Sequence, residues 1–263
     1  MTVVLQVSDP HFGTERPVAV AALERFCHEL RPDLLLVTGD ITQRARPAEF
    51  ARAKAFFDKL GVPARLVIPG NHDIPLLDLF ARAFKPYGRY ARAFGPTLEG
   101  EFERDDLLVV AINTTRRWRH KNGEVSDAQI DRVAERLARA GPRQLRLVAV
   151  HQPVGVTKEI DVKNLLRGHE HAVHRWAEAG ADAVLGGHIH LPYVLPLPGL
   201  PRPVFAVQAG TALSSRVRGG ISNSVNVIRT GSDRSGVVER WDLDETADEF
   251  RQVKSTAIRG KQA

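Results

Sequence analysis

Apolar residues fall into two alternating rhythms along the first part of this 263-residue chain. Unbroken Val/Leu-rich runs at 3–8, 34–38 and 64–69 read as buried strands. Between them, the stretches 17–30 and 47–60 read as helices. Strand and helix in alternation predict parallel βαβ units. The segment 74–97 is less regular. Leu98–Arg104 and Leu107–Asn113 predict a hairpin that turns at Asp105-Asp106. A helix over 126–140 opens at Ser126 as its cap, ends at Gly141-Pro142 and leads into a strand at 145–150. A helix over 163–179 precedes a strand at 182–186. From Pro192 onward, Pro and Gly punctuate four strands near 192–196, 203–208, 223–229 and 236–243. The residues after Asp244 are polar, and 246–263 is expected to be a fraying tail. No repeat or Pro/Gly/Ser-rich linker divides the pattern, so 1–245 is expected to form a single α/β domain.

Composition narrows this picture only slightly. Hydrophobic residues make up 43% and charged residues 26%, as in an ordinary soluble globular chain with ample core. The single Cys27 excludes a disulfide framework and a cysteine-based zinc site, and reads as core filler on its helix. No stretch approaches the roughly 18 apolar residues of a membrane helix. The start of the chain runs into a strand without a signal-like apolar segment, so a cytoplasmic location is expected. The net charge of +6 favours an anionic substrate such as a phosphate ester. Arg132, Arg136 and Arg139 read as a solvated helix face, so nucleic acid is compatible with the charge but not required by it.

The chemistry sits where the strands end. Asp9-Pro10-His11, Gly39-Asp40, Gly70-Asn71-His72-Asp73, His151 and Gly187-His188-Ile189-His190 each trail an apolar run. In a layered α/β fold the ligand site lies beyond the carboxyl ends of the strands. Oxygen donors mixed with imidazoles suit Mn²⁺, Fe²⁺/Fe³⁺, Zn²⁺ or Co²⁺. Seven candidate ligands (Asp9, His11, Asp40, Asn71, His151, His188, His190) are too many for one tetrahedral ion and suit two ions sharing a bridge. Asp40, alone in its block and with two oxygens, is the natural bridge. Alternation i, i+2 would send Asp9 with His11, and His188 with His190, the same way if those segments stay extended. Pro10 biases Asp9 towards an extended backbone.

The ordered set D-x-H, G-D, G-N-H-D, H and G-H-x-H resembles the calcineurin-like metallophosphoesterase superfamily over residues 3–190. Ser8-Asp9-Pro10-His11-Phe12, Gly39-Asp40-Ile41-Thr42 and Pro69-Gly70-Asn71-His72-Asp73 are most similar to its bacterial class III cyclic-nucleotide phosphodiesterase branch. Gly210-Thr211-Ala212 and Asn223-Ser224-Val225-Asn226-Val227 fit that branch's closing strands. The resemblance implies a four-layer αββα sandwich of two mixed sheets, with the metals at the carboxyl ends of the strands. It implies that Asp9, His11 and His190 hold one ion, Asn71, His151 and His188 the other, with Asp40 between. The ions would be divalent or mixed-valence, Mn or Fe before Zn or Co. The implied reaction is phosphodiester hydrolysis by a metal-bridging hydroxide, cyclic nucleotides being candidate substrates. His72 matches the family histidine that stabilises the transition state or protonates the leaving group. Asp73 would fix the tautomer of His72 through a hydrogen bond.

Other readings stay open at this stage. Enzymatic rivals are a pyrophosphohydrolase of a nucleotide-linked lipid precursor, a phosphomonoesterase and a nuclease; the rival outside catalysis is a protein-binding scaffold. The partner expected is a small anionic phosphoester, with no membrane span, and either a monomer or a homodimer accommodates the pattern. Residues 74–97 interleave Leu76, Leu77, Leu79, Phe80, Phe84, Tyr87, Tyr90 and Phe94 with Arg82, Lys85, Arg89 and Arg92. They read equally as a substrate cap and as a helix packed on the core. Arg216 and Arg218 beside Gly219-Gly220 read as a substrate-edge loop or a plain turn. His28, His120, His169, His171 and His174 read as surface residues.

Overall fold

Strands that are apolar on both faces need cover on both sides, and this chain supplies it by stacking two six-stranded sheets between helices. The computed structural model describes residues 1–231 and 233–258. The predicted alternation appears as β1 (Val3–Val7), α1 (Pro17–Leu30), β2 (Leu34–Thr38), α2 (Pro47–Lys59) and β3 (Ala64–Ile68). Two short helices, α3 (Leu79–Phe84) and α4 (Gly88–Phe94), fill the irregular segment. The hairpin of β4 (Gly100–Arg104) and β5 (Leu107–Ala111) leads to α5 (Asp127–Ala138) and β6 (Leu145–Ala149). Next come α6 (His169–Glu178), β7 (Ala183–Gly186), β8 (Tyr193–Pro196) and β9 (Phe205–Gln208). Then follow β10 (Ser224–Thr230), β11 (Gly236–Asp244) and β12 (Glu249–Ala257).

The first sheet runs β12-β11-β10-β1-β2-β3 and the second β4-β5-β6-β7-β9-β8. Pairs β1–β2 and β2–β3 are parallel, and β10 joins β1 antiparallel, so the sheets are mixed. Alternation along each strand then divides the core. Val4, Leu34, Leu36 and Ile68 meet Leu107, Leu145, Leu147 and Leu185 between the sheets. Leu5, Val7, Leu35 and Val37 face Leu23, Phe26, Phe50 and Phe57 of α1 and α2. Ile130, Val133 and Trp176 of α5 and α6 cover the outer face of the second sheet. This is the four-layer αββα sandwich. Among the described residues, no helix is long and apolar enough to cross a membrane.

Three expectations need correction. Residues after Asp244 are not a frayed tail: Glu249–Ala257 pair with β11 as an edge strand, anchored by Phe250 against Phe26. Its exposed polar faces are what an edge strand tolerates, and they hid it; residues 259–263 lie outside the described residues. The helix expected over 163–179 begins only at His169, because Gly168 is left-handed at φ 84° and Arg167 pairs with the backbone of Gly123 and Val125. The segment 74–97 is only in part a helix packed on the core. Tyr90 and Phe94 pack on Phe50 in the core, whereas Leu77, Leu79, Phe80 and Phe84 are exposed.

Leu147 is fully buried between the sheets. Leu147→Ala is expected to lower the unfolding free energy by about 2–5 kcal/mol in urea titration; a change well under about 1 kcal/mol would show that the sheets are not tightly packed there.

Candidate metal centre

The five strand-end segments converge although they come from both sheets. Asp9 and His11 follow β1, Asp40 follows β2, and Asn71 to Asp73 follow β3 in the first sheet; His151 follows β6, and His188 and His190 follow β7 in the second. The side chains are not brought together by strand alternation, as the sequence suggested. Asp9, His11, Asp40, His188 and His190 all have φ between 43° and 73°. Pro10 does not keep Asp9 extended either, since its φ is 49°. Left-handed residues curl these three segments back over the sheet edge. Non-glycine residues hold that conformation at an energetic cost, so the surroundings must fix it. The Asp9 amide donates to the Gly39 carbonyl at 3.1 Å, the His11 amide to Asp40 at 3.1 Å, and the Thr211 hydroxyl to the Asp9 carbonyl at 2.6 Å.

Two glycines permit this closeness. A Cβ on Gly70 would run into the amide and Oδ1 of Asp40, and one on Gly187 into Ser8 Oγ and Asp9 Oδ2. The Asp9 carboxylate accepts from Ser8 Oγ at 2.6 Å and from the His188 amide at 2.9 Å.

The candidate ligands form overlapping trios. In Asp9, His11 and His190, Asp9 Oδ1 lies 3.3 Å from His190 Nε2 and 3.8 Å from His11 Nε2. In Asp40, His151 and His188, Asp40 Oδ1 lies 3.3 Å from His151 Nε2. Asn71 Oδ1 joins the second trio at 3.2 Å from His151 Nε2. Asp40 turns its other oxygen, Oδ2, to His11 Nε2 at 3.7 Å, so one carboxylate faces both groups. His72 also forms a trio with His11 and Asp40.

These residues fit a pair of cations. His190 donates its Nδ1 proton to the Arg216 carbonyl at 2.7 Å, so in the neutral ring Nε2 is a lone pair. That nitrogen faces His11 Nε2 at 3.0 Å. His151 likewise gives its Nδ1 proton to the Thr38 carbonyl at 2.8 Å and turns Nε2 inward. His188 Nδ1 is buried with no hydrogen-bond partner. Imidazole nitrogens turned towards one another beside two carboxylates are what a cation organises.

Electrostatics sorts the groups in the same direction. Burial acts to raise the Asp40 carboxyl, but His151 and the other imidazoles outweigh it and hold it well below the usual carboxylate range. Burial also opposes ionisation of Asp9, yet His190 brings it down to about 2. Burial pushes His11 down to about 3 and His188 to about 4, which keeps both rings neutral and able to ligate. For His151, burial is overcome by the Asp40 carboxylate, and the ring rises to about 9. The two carboxylates thus draw positive charge from imidazole; divalent cations supply more of it.

Asp73 does something other than orient His72. Its carboxylate accepts from the amides of Ile41 (3.1 Å), Thr42 (2.9 Å) and Gly70 (2.8 Å) and from the Thr42 hydroxyl (2.8 Å), which pins the loop after β3 to the loop after β2. Burial, with Asp40 adding to it, raises the Asp73 carboxyl to about 6. The partner of His72 is the Gln43 carbonyl, which accepts from Nδ1 at 2.9 Å.

Arg216 belongs to the site. Its Nη1 lies 3.3 Å from His11 Nε2, 3.4 Å from His72 Nε2 and 3.2 Å from Gln43 Oε1. Arg218 stands behind it, donating to the Ile189 carbonyl at 3.0 Å and to the buried Asp161. In sequence these arginines carried no spacing signal, only a basic pair beside two glycines. His28, His120, His171 and His174 are exposed and His169 is half-buried; none joins a trio, although His120 is close enough for the charge of His72 to be felt there.

The family model described as calcineurin-like phosphoesterase matches residues 2–192. The chain is 30% identical over 202 residues to a probable cyclic nucleotide phosphodiesterase of Synechococcus sp., covering 73% of this chain and 74% of that one. A probable cyclic nucleotide phosphodiesterase of Rhodococcus erythropolis is 26% identical over 174 residues, 65% of this chain; the match spans 56% of that relative's length. Purple acid phosphatase PPD1 from yellow lupin superposes with a TM-score of 0.74 at 14% identity, over 97% of this chain and 53% of its own, a likeness of fold.

Removing the Asp73 carboxylate leaves three amides unsatisfied, so Asp73→Ala should cost about 3–5 kcal/mol of stability in urea titration of metal-free protein. His72→Ala, at a half-buried ring whose polar contacts are the Gln43 carbonyl and, at 3.4 Å, Arg216 Nη1, should cost less than about 1 kcal/mol. Equal losses would return Asp73 to the role of a His72 partner.

Proposed function

The chain belongs to the calcineurin-like phosphoesterase family, and we propose that it binds two divalent cations and hydrolyses small phosphodiesters. The observation that carries the reading is Asp40, whose two oxygens face different ligand groups. Asp9, His11 and His190 would hold one ion and Asn71, His151 and His188 the other, with Asp40 shared. The donor set has imidazole, carboxylate and amide groups without thiolate, which suits Mn or Fe, and after them Zn or Co. When bound, such a pair supplies Lewis acidity towards both the phosphoryl group and water.

The protein's own groups do the rest. The Arg216 guanidinium beside His11 and His72 is placed to hold a phosphoryl oxygen and the charge that grows on it. With Nδ1 of His72 fixed on the Gln43 carbonyl, Nε2 is the atom that would face the leaving oxygen and, in the doubly protonated ring, carry the proton passed to it. Ligands from two sheets and a loop hold these groups on rigid elements, so little reordering is needed when substrate binds. Cyclic nucleotides are the finer substrate reading, supported by the names of both relatives. The cytoplasm suits the buried free thiol of Cys27.

Asp40→Ala is expected to lower bound metal from about two ions per chain to fewer than about one and to abolish hydrolysis of bis(p-nitrophenyl) phosphate; two ions retained by elemental analysis would refute the shared carboxylate. Arg216→Ala keeps the main-chain carbonyl that orients His190. It should therefore retain metal while kcat falls roughly 10²–10³-fold. An unchanged kcat would remove the guanidinium from turnover.

A further inference from the structure

Half of the large hydrophobic side chains exposed among the described residues lie on two neighbouring segments. They are Leu77, Leu79, Phe80 and Phe84 around α3, exposed by 70–86%, and Trp118 on the loop between β5 and α5, at 66%. The segments are joined: Arg82 Nη2 donates to the Arg119 carbonyl at 2.9 Å, and Arg117 Nη1 to the Ala83 carbonyl at 2.5 Å. The Phe80 and Phe84 rings lie 4.8 Å apart, one helical turn from each other, and form the crest of an apolar ridge on α3. The ridge has a firm base, because Arg89 ties α4 to Asp78 at the start of α3 and the Tyr90 hydroxyl donates to the Val67 carbonyl at 2.7 Å.

Charge is gathered on the same elements. Residues 77–92 and 115–124 hold eight Lys and Arg against Asp78 and Glu124, a surplus of six positive charges, equal to that of the entire chain. Lys85, Arg117 and Lys121 are exposed beside the ridge. Aromatic and leucine side chains flanked by cations are the chemistry of an interfacial surface, the apolar groups entering the acyl boundary and the cations meeting lipid phosphates.

We propose that α3 and the loop 115–121 form a docking face that lays this protein on anionic phospholipid bilayers. The charge weighs against a second copy as the occupant, since a two-fold interface would set this cationic surface against itself. Leu77 and Leu79 weigh against nucleic acid, having no ring on which a base could stack. The face starts four residues beyond Asp73, so docking would bring the segment that carries His72 towards the headgroups. None of the ridge residues contributes to the ligand trios, and the inference stands apart from the catalytic reading.

Vesicle flotation of the full chain tests it. Phosphatidylcholine vesicles containing about a third phosphatidylglycerol should carry the protein up, pure phosphatidylcholine vesicles should not, and raising NaCl from about 0.1 M to about 0.5 M should release it. Each cation at such a surface raises partitioning about five-fold. Lys85→Glu with Arg117→Glu should therefore lower it by more than about 25-fold, and Phe80→Ser with Trp118→Ser by at least about ten-fold. All four side chains are exposed, and unchanged thermal midpoints would verify that the variants fold. The proposal fails if anionic vesicles do not bind, if neutral ones bind equally, or if neither double variant weakens binding. It also fails if, without vesicle binding, the variants instead abolish a dimer seen by light scattering or binding to a labelled oligonucleotide.

Discussion

Two carboxylates buried side by side need positive charge, and this requirement organises the molecule. Asp9 and Asp40 are essentially inaccessible to solvent; left unpaired, each would cost several kcal/mol. The chain answers with imidazoles whose outer nitrogens are spent on main-chain carbonyls, His151 on Thr38 and His190 on Arg216, so that the inner nitrogens point at the carboxylates. The same arrangement that neutralises the acids therefore shapes a cation site. Arg216 takes part twice, orienting His190 through its carbonyl and facing His11 and His72 through its guanidinium.

That centre depends on the stacking of the sheets. Three ligand segments leave the first sheet and two the second, so no part of the chain builds the site alone. Directly beneath it the apolar layer gives way to a polar bridge. The Gln6 amide donates to the Gly186 carbonyl of the second sheet at 3.2 Å and its oxygen accepts from Asn226 at 3.0 Å. Buried hydrogen bonds of this kind specify a register that hydrophobic packing leaves loose. Here they set β7 at the depth from which His188 and His190 reach Asp9. Metal binding and folding are linked through this geometry, since the ligand set does not exist in the unfolded chain.

The fold and the residue set were largely legible because both rest on strong local signals. Unbroken apolar runs mark strands covered on both faces, and Asp, His and Asn at the ends of five of them are too expensive to bury without a purpose. Orientation was not legible. A period-two reading assumes extended backbone, but Asp9, His11, Asp40, His188 and His190 adopt left-handed turns, a conformation short polar residues tolerate without the glycine that would announce it. Adjacency misled for Asp73: a 3-10 turn carries its carboxylate back to Gly70 and across to Thr42, away from its neighbour His72. Arg216 lies 26 residues beyond His190 on a loop without motif spacing, so only the folded chain shows its place. β12 escaped because an edge strand needs few inward apolar residues.

The distribution of charge also changes what the net positive balance means. The arginines read from sequence as a solvated helix face are locally matched: Arg132 pairs with Glu99, and Arg136 with Glu101 and Glu103. At physiological salt, charges separated by more than about 8–10 Å hardly feel each other, so such matched pairs add little to the field at the opening of the site. The surplus sits on α3, α4 and the 115–124 loop, beyond the strand end that carries His72. The unmatched positive charge is therefore one-sided with respect to the ligand trios. Directional attraction of this kind raises the encounter rate of any anion without by itself tightening the complex that forms.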